Sequence, residues 1–250
     1  MTKPQPLSMT RAGTVALFIV VLVVAAALGW LGWKWRHTVQ LKTIVIEGNT
    51  HVPSKALHEL IAIEGDTLLF DIEPADVVER LKDVPWVATA SVHRRPTGTL
   101  AVRVTEREPV VVLMRDGRPW LYLDRYGSSM AVATGKPVDV PVVHGAAADD
   151  DLQAGAQIAD DRVLELLDVV ARLDDASYDL ISEVLVARSG LSLFTTPLPG
   201  GPSIRVLLGS GGFAEKLRRL EVFWSRVMLT RPGDGIREID LRFDGQIITS

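Results

Sequence analysis

Pro85-Trp86-Val87-Ala88-Thr89-Ala90-Ser91-Val92-His93-Arg94-Arg95-Pro96-Thr97-Gly98-Thr99-Leu100-Ala101-Val102-Arg103-Val104-Thr105-Glu106-Arg107 is the stretch on which the fold turns. Two β-rich runs, 87–94 and 99–107, flank the turn signal Pro96-Thr97-Gly98. Leu100, Val102 and Val104 alternate with Ala101, Arg103 and Thr105. Period two predicts a hairpin with one buried face. Upstream, Leu41 to Ile46 reads as a strand ended by Gly48-Asn49. Pro53 and Ser54 then open a helix whose Leu57, Leu60 and Ile61 share one face, with Gly65 as its stop. Pro74 suits the first turn of a second helix, striped by Val77, Val78, Leu81 and Val84. Trp86 is expected to plug the core between them. The order β-α-α-β-β makes residues 41–109 a compact α+β unit.

Further upstream, Ala12 to Trp33 is a run of 22 residues without a charge. At 1.5 Å rise per residue it reaches roughly 33 Å, enough for a bilayer's hydrocarbon core. Val15 to Val24 is apolar on every face, as lipid requires. Trp30, Trp33 and Trp35 crowd its end beside Lys34 and Arg36, which suits the headgroup level. Ala25-Ala26-Ala27 offers a signal-peptidase site, but the apolar run continues through Leu28 to Trp33, so a retained transmembrane helix over 12–35 is the expectation. Lys3 and Arg11 before it balance Lys34, Arg36 and Lys42 after it. Charge therefore leaves the direction of the span open.

Downstream, Val110 to Met114 and Trp120 to Leu123 flank Asp116-Gly117, a hairpin signal because both residues tolerate positive φ. Val184 to Val186, Leu191 to Phe194 and Ile204 to Leu208 add strands. Two amphipathic helices interrupt them. Val163, Leu166, Leu167, Val170 and Leu173 stripe the first; Phe213, Leu217, Leu220, Phe223, Trp224 and Val227 stripe the second.

Composition narrows the chemistry. The 250 residues are 47% hydrophobic and 23% charged with a formal net charge of −4, so nothing in the overall balance attracts nucleic acid. The absence of Cys removes disulfides, thiol nucleophiles and thiolate-bound zinc, and the five His stand far apart. No G-x-S-x-G and no Ser with Lys three residues on supplies an activated hydroxyl. Gly209-Ser210-Gly211-Gly212-Phe213-Ala214 fits a phosphate-binding spacing, but the 36 residues after it are too few for a dinucleotide fold, and a strand-to-helix turn is expected. The ten acids from Asp149 to Asp179, including the pairs Asp160/Asp161 and Asp174/Asp175, read as a solvated face or an acidic docking surface. Lys216, Arg218, Arg219 and Arg226 give the last helix a basic excess, read as a solvated face or a partner surface, with Glu215 and Arg219 as an i,i+4 pair. Glu106-Arg107-x-Pro109 is expected to be an ion pair or a rigid elbow. No catalytic residue, metal site or cofactor is expected.

Three phrases carry a resemblance: Ile44-x-Ile46-x-Gly48-Asn49, then Pro85-Trp86-Val87-x-x-Ala90-x-Val92-x-Arg94-x-Pro96, then Leu100-x-Val102-x-Val104-x-Glu106-Arg107-x-Pro109. Leu123-Asp124-x-x-Gly127, Val140-Pro141-Val142, Gly209 and Ile239-Asp240-Leu241-Arg242-Phe243 continue it in order. After a single span, this resembles the FtsQ/DivIB family of bacterial cell-division proteins, with 41–109 as a POTRA domain and 110–250 as the family's β domain. Ser210 and the two glycines after it depart from the charged or bulky residue often found there. The resemblance implies a non-enzymatic divisome scaffold of the cytoplasmic (inner) membrane at the division septum. Residues 1–11 would lie inside and the domains outside. It further implies binding to the membrane-anchored coiled coils FtsB and FtsL, which control the septal peptidoglycan synthase FtsW–FtsI. A membrane-anchored envelope enzyme and a POTRA module of a secretion system are the alternatives. Pattern and resemblance together make Ile239 to Ile248 a C-terminal edge strand to which a partner pairs. Arg242, Phe243, Asp244, Gly245, Gln246, Ile247 and Ile248 would form the contact, with Arg218 and Arg219 beside them.

Overall fold

The computed structural model describes residues 11–63, 66–132, 137–145, 152–197, 201–230 and 235–250. Helix α1 spans Arg11–Arg36, with 14–36 long and apolar enough to cross a membrane and none of it buried against the protein.

Strand β1 (Thr43–Glu47), helices α2 (Ser54–Ile61) and α3 (Pro74–Lys82), and strands β2 (Val87–Arg95) and β3 (Thr99–Glu106) follow in the expected β-α-α-β-β order. The sheet order is β1-β3-β2, with β1 parallel and β2 antiparallel to β3. Leu100, Val102 and Val104 are buried under Leu57, Ile61, Val77 and Leu81, so the period-two face meets the two helical stripes. Pro74 sits in the first turn of α3. Gly48, at φ +88°, passes so close to the Val104 carbonyl that a Cβ would collide with it. The stop assigned to Gly65 falls outside the described residues. Helix α2 already ends at Ile61, where Ala62 turns left-handed at φ 46° and caps the His58 carbonyl.

The rest of the chain forms one nine-stranded sheet in the order β12-β11-β10-β9-β8-β7-β4-β5-β6. Its strands are β4 (Val111–Arg115), β5 (Arg118–Leu123), β6 (Ser129–Ala131), β7 (Val142–His144), β8 (Ile181–Ala187), β9 (Gly190–Thr195), β10 (Arg205–Gly209), β11 (Glu238–Asp240) and β12 (Ile248–Thr249). Asp116 (φ 52°) and Gly117 (φ 72°) make the tight β4–β5 turn. Helix α4 (Asp161–Val170) and helix α6 (Phe213–Phe223), which runs on into a π turn at Trp224–Met228, cover one face through Val163, Leu166, Leu167, Phe213 and Leu220. Between them lies the short α5 (Asp175–Tyr178).

Two strand assignments differ from the sequence reading. Short β6 and β7 lie in segments that carried no strand signal, because three residues are too few to show alternation. The stretch Ile239–Ile248 is not one strand: β11 ends at Asp240, the chain turns through Phe243–Gly245, and β12 returns antiparallel to β11. Two local effects break the run. The Asp240 carboxylate accepts the Arg242 N–H at 2.9 Å, and Gly245 adopts φ +69°.

The two sheets share side chains. Val112, Tyr122 and Met130 of the large sheet are buried in the same cluster as Leu57, Leu100 and Trp86. The Trp86 ring stacks on His51 with centroids 4.5 Å apart and meets Tyr122 edge-on at 5.8 Å. Its Nε1–H donates to the Ala131 carbonyl of β6 at 2.9 Å. Trp86 thus fills the joint between the sheets as well as the core of the smaller unit. Glu106 and Arg107 do not pair with each other. The Glu106 carboxylate accepts the backbone N–H groups of Thr50, His51 and Val52 and the His51 ring at 2.9–3.0 Å. Burial works to raise its pKa, but these donors outweigh it and leave the carboxyl below the ordinary glutamate value. Arg107 reaches the other way, donating to Asp124 at 2.8 Å, Ser128 at 3.1 Å and the Pro85 carbonyl at 3.1 Å.

Trp86→Ala is expected to destabilise the protein by about 3–5 kcal/mol. Hydrogen exchange should show the loss on both sides of the joint, at Val102 of β3 and at Leu121 of β5. Protection lost at β3 alone would refute the shared core.

Candidate functional site

The two ends of the nine-stranded sheet differ. At the β6 end, Ser129 N–H donates to Ala156 O, Gly155 N–H donates to Ser129 O, and Trp86 takes the Ala131 carbonyl, so loop and joint cover that edge. At the other end stands β12. Glu238 and Ser250 exchange both N–H···O bonds, at 3.2 and 3.1 Å, so they are the hydrogen-bonded pair of the ladder. Thr249, opposite Ile239, is then a non-hydrogen-bonded position. Its N–H and C=O point away from β11, and no described strand lies beyond them.

Helix α6 holds this end in place. Arg219 donates to three carbonyls of the returning segment: Leu241 O at 3.0 Å, Phe243 O at 3.0 Å and Gln246 O at 3.1 Å. One planar guanidinium therefore fixes the path of residues 241–246. Its role was invisible in the sequence, because the partners lie 22 to 27 residues away. The expected Glu215–Arg219 pair does not form; Glu215 pairs with Arg218 at 2.7 Å instead. Arg242 folds back on Asp240, with Nη2 to Oδ2 at 2.6 Å and Nε to Oδ1 at 3.0 Å. This guanidinium holds the Asp240 carboxyl below the ordinary aspartate range, against the opposing effect of burial.

The segment offers apolar surface as well. Phe243 is 51% exposed and Ile248 is 48% exposed, whereas Ile247 packs partly against the core. Asp244, Gly245 and Gln246 form the exposed turn. Arg242 to Ile248 thus lie in a turn and a short return strand at one end of the sheet, bonded to Arg219 of α6, while Arg218 on that helix pairs with Glu215.

The other candidate groups have structural employment. At the glycine-rich turn the Phe213 N–H donates to the Glu165 carboxylate at 3.0 Å, which occupies the N-terminus of α6. Buried Lys216 donates to Leu208 O and Gly211 O, both at 2.7 Å, and so caps the end of β10. Asp160 and Asp174 cap α4 and α5. Asp168 joins Arg125 and Arg172. Among the described residues no group of three or more His, Asp or Glu side chains gathers to hold a metal.

An apolar helix long enough to span a bilayer, a β-α-α-β-β unit and a large β-rich sheet define an α+β class of protein. Comparison with known proteins agrees. The FtsQ-type POTRA domain model matches residues 39–107, and the FtsQ/DivIB C-terminal related model matches residues 108–250. The chain is 38% identical over 247 residues to the cell division protein FtsQ of Rhodothermus marinus, covering 98% of this chain and 89% of that one. It is 34% identical to the FtsQ of Salinibacter ruber, over 89% of this chain and 87% of that one. The solved extracytoplasmic domain of DivIB from Geobacillus stearothermophilus overlaps 49% of this chain and 95% of that one at 17% identity, with a TM-score of 0.33. The chain belongs to the FtsQ/DivIB family of bacterial cell-division proteins.

Arg219→Ala removes three donors from one segment. Amide exchange at Phe243 to Gln246 is expected to speed up by about tenfold or more, the equivalent of one to two net hydrogen bonds. Exchange in β4 and β5 should not change. Unaltered protection at 243–246 would show that the segment holds itself in place.

Proposed function

We propose that this protein is a non-enzymatic scaffold of the divisome that captures the FtsB–FtsL complex by strand addition at β12 and links it to the septal peptidoglycan synthase. The open edge at Thr249 carries this reading. It presents an unused main-chain donor and acceptor, while the opposite edge of the same sheet is covered. A partner strand laid along β12 gains hydrogen bonds from the main chain and apolar contact from Ile248 and Phe243. Arg218 and Arg242 already satisfy carboxylates of their own, so charge plays the lesser part. Their side chains remain 66% and 51% exposed and still favour an acidic partner segment.

Thr249→Pro tests the edge without touching the ladder. Proline there removes the outward N–H, the one position class that an edge strand tolerates. FtsB capture in a pull-down is expected to fall by about tenfold, in keeping with one or more lost hydrogen bonds and an obstructed approach. Phe243→Ala should weaken it as well. Full capture by Thr249→Pro would refute the site.

In this reading α1 is a single retained span, with residues 1–11 in the cytoplasm and the two sheets outside at the septum. Alkaline phosphatase fused after Ser250 is expected to be active. A stable but inactive fusion would reverse the orientation, and a mature chain starting at Leu28 would remove the anchor.

A further inference from the structure

The exit of α1 is fastened to the three-stranded unit. The Trp35 ring meets Phe70 edge-on at 5.5 Å, and the guanidiniums of Arg36 and Arg94 each lie 5.9 Å from the Phe70 ring centre. Arg94 also donates to the Phe70 carbonyl at 2.9 Å. Main-chain bonds lock the connector: Leu69 N–H to Val39 O at 2.9 Å, Leu41 N–H to Thr67 O at 3.0 Å and Lys42 N–H to Gly98 O at 2.8 Å. The β2–β3 turn is therefore held beside the point where the helix ends. Arg95 faces Thr99, which in turn faces Thr43, at this same end of the sheet.

Five cations, Lys34, Arg36, Lys42, Arg94 and Arg95, collect there. All but the half-buried Arg94 are exposed. Among the described residues none of the five lies in an ion pair, although Asp66 and Asp71 are exposed in the neighbouring loop. Four other cations of the same unit are paired, Lys55 with Glu59, Lys82 with Glu79, Arg103 with Glu47 and Arg107 with Asp124, while Arg80 donates to the Ile61 carbonyl. Cations without carboxylate partners are thus concentrated at the end that α1 joins.

We propose that this end of the POTRA unit is a docking platform for anionic phospholipid headgroups in the leaflet from which α1 emerges. The proposal rests on the reading of α1 as a membrane span. The three indoles at the end of α1 favour the headgroup level, and the connector of six residues leaves no slack to lift the sheet away. Each Lys or Arg within a Debye length of an anionic surface adds to the attraction, and exposed cations without carboxylate partners have all of their charge available for it. The bilayer then sets the tilt of the unit as well as its attachment.

The chain has no cysteine, so Thr97→Cys gives one labelling point on the β2–β3 turn of the full-length protein. The labelled protein goes into nanodiscs of phosphatidylcholine alone, or of equal parts phosphatidylcholine and phosphatidylglycerol. A headgroup spin-labelled lipid then quenches the fluorophore on contact. Quenching is expected to be stronger in the phosphatidylglycerol discs and to fall as salt is raised. Lys42→Glu with Arg95→Glu should lower the ratio of docked to free forms on the order of tenfold. The salt titration reads the same effect on unsubstituted side chains, whatever the double variant does to folding. Equal quenching in both lipids at every salt concentration overturns the platform while leaving the span intact. A chain that fails to enter the discs overturns the span and the platform together.

Discussion

The Arg107 guanidinium braces the joint between the two sheets. It stands one residue past the end of β3 and holds the Pro85 carbonyl on one side and Asp124 and Ser128 on the other. Asp124 is itself buried and accepts two backbone N–H groups of its own turn, from Tyr126 and Ser128. Losing the arginine would leave a carboxylate out of water without its counter-charge, a change far more harmful than the net worth of the pair. Next to it Glu106 binds the β1–α2 loop through three main-chain donors. Two consecutive residues therefore pull in opposite directions, and the boundary between the sheets is a braced joint with Trp86 at its centre.

This joint lies between the exit of α1 and the returning C-terminal segment. From Trp35 and Phe70 the contacts run through the three-stranded unit to Trp86 and Arg107, then across the large sheet to Arg219 and the returning C-terminal segment. Across the large sheet the path is filled by one cluster of buried apolar side chains.

Much of this was legible in the sequence. The hairpin over 87–107 and the Asp116-Gly117 turn could be read because alternation and positive-φ residues are local properties. That Arg242 to Ile248 lie together near Arg219 could also be read, but their geometry could not. Ile239 to Phe243 alternates like a strand, yet Asp240 turns back to bond Arg242, and Asp244-Gly245 supplies the left-handed step of a turn. That dipeptide is the same kind of signal as Asp116-Gly117 and could have revealed the reversal. The work of Arg219, Lys216 and Glu165 was beyond reach, because each meets a group far away in sequence or a carbonyl that carries no side-chain identity. The π turn that ends α6 left no mark in an apolar stripe that continues through it.

The shortness of β12 has a consequence for solubility. An exposed strand of many residues is a template for any copy of the same chain, and proteins blunt such edges by keeping them brief or charged. Two residues give a second copy so few main-chain bonds that self-pairing is worth little against the entropy of association. The protein can thus carry an uncovered edge without polymerising through it.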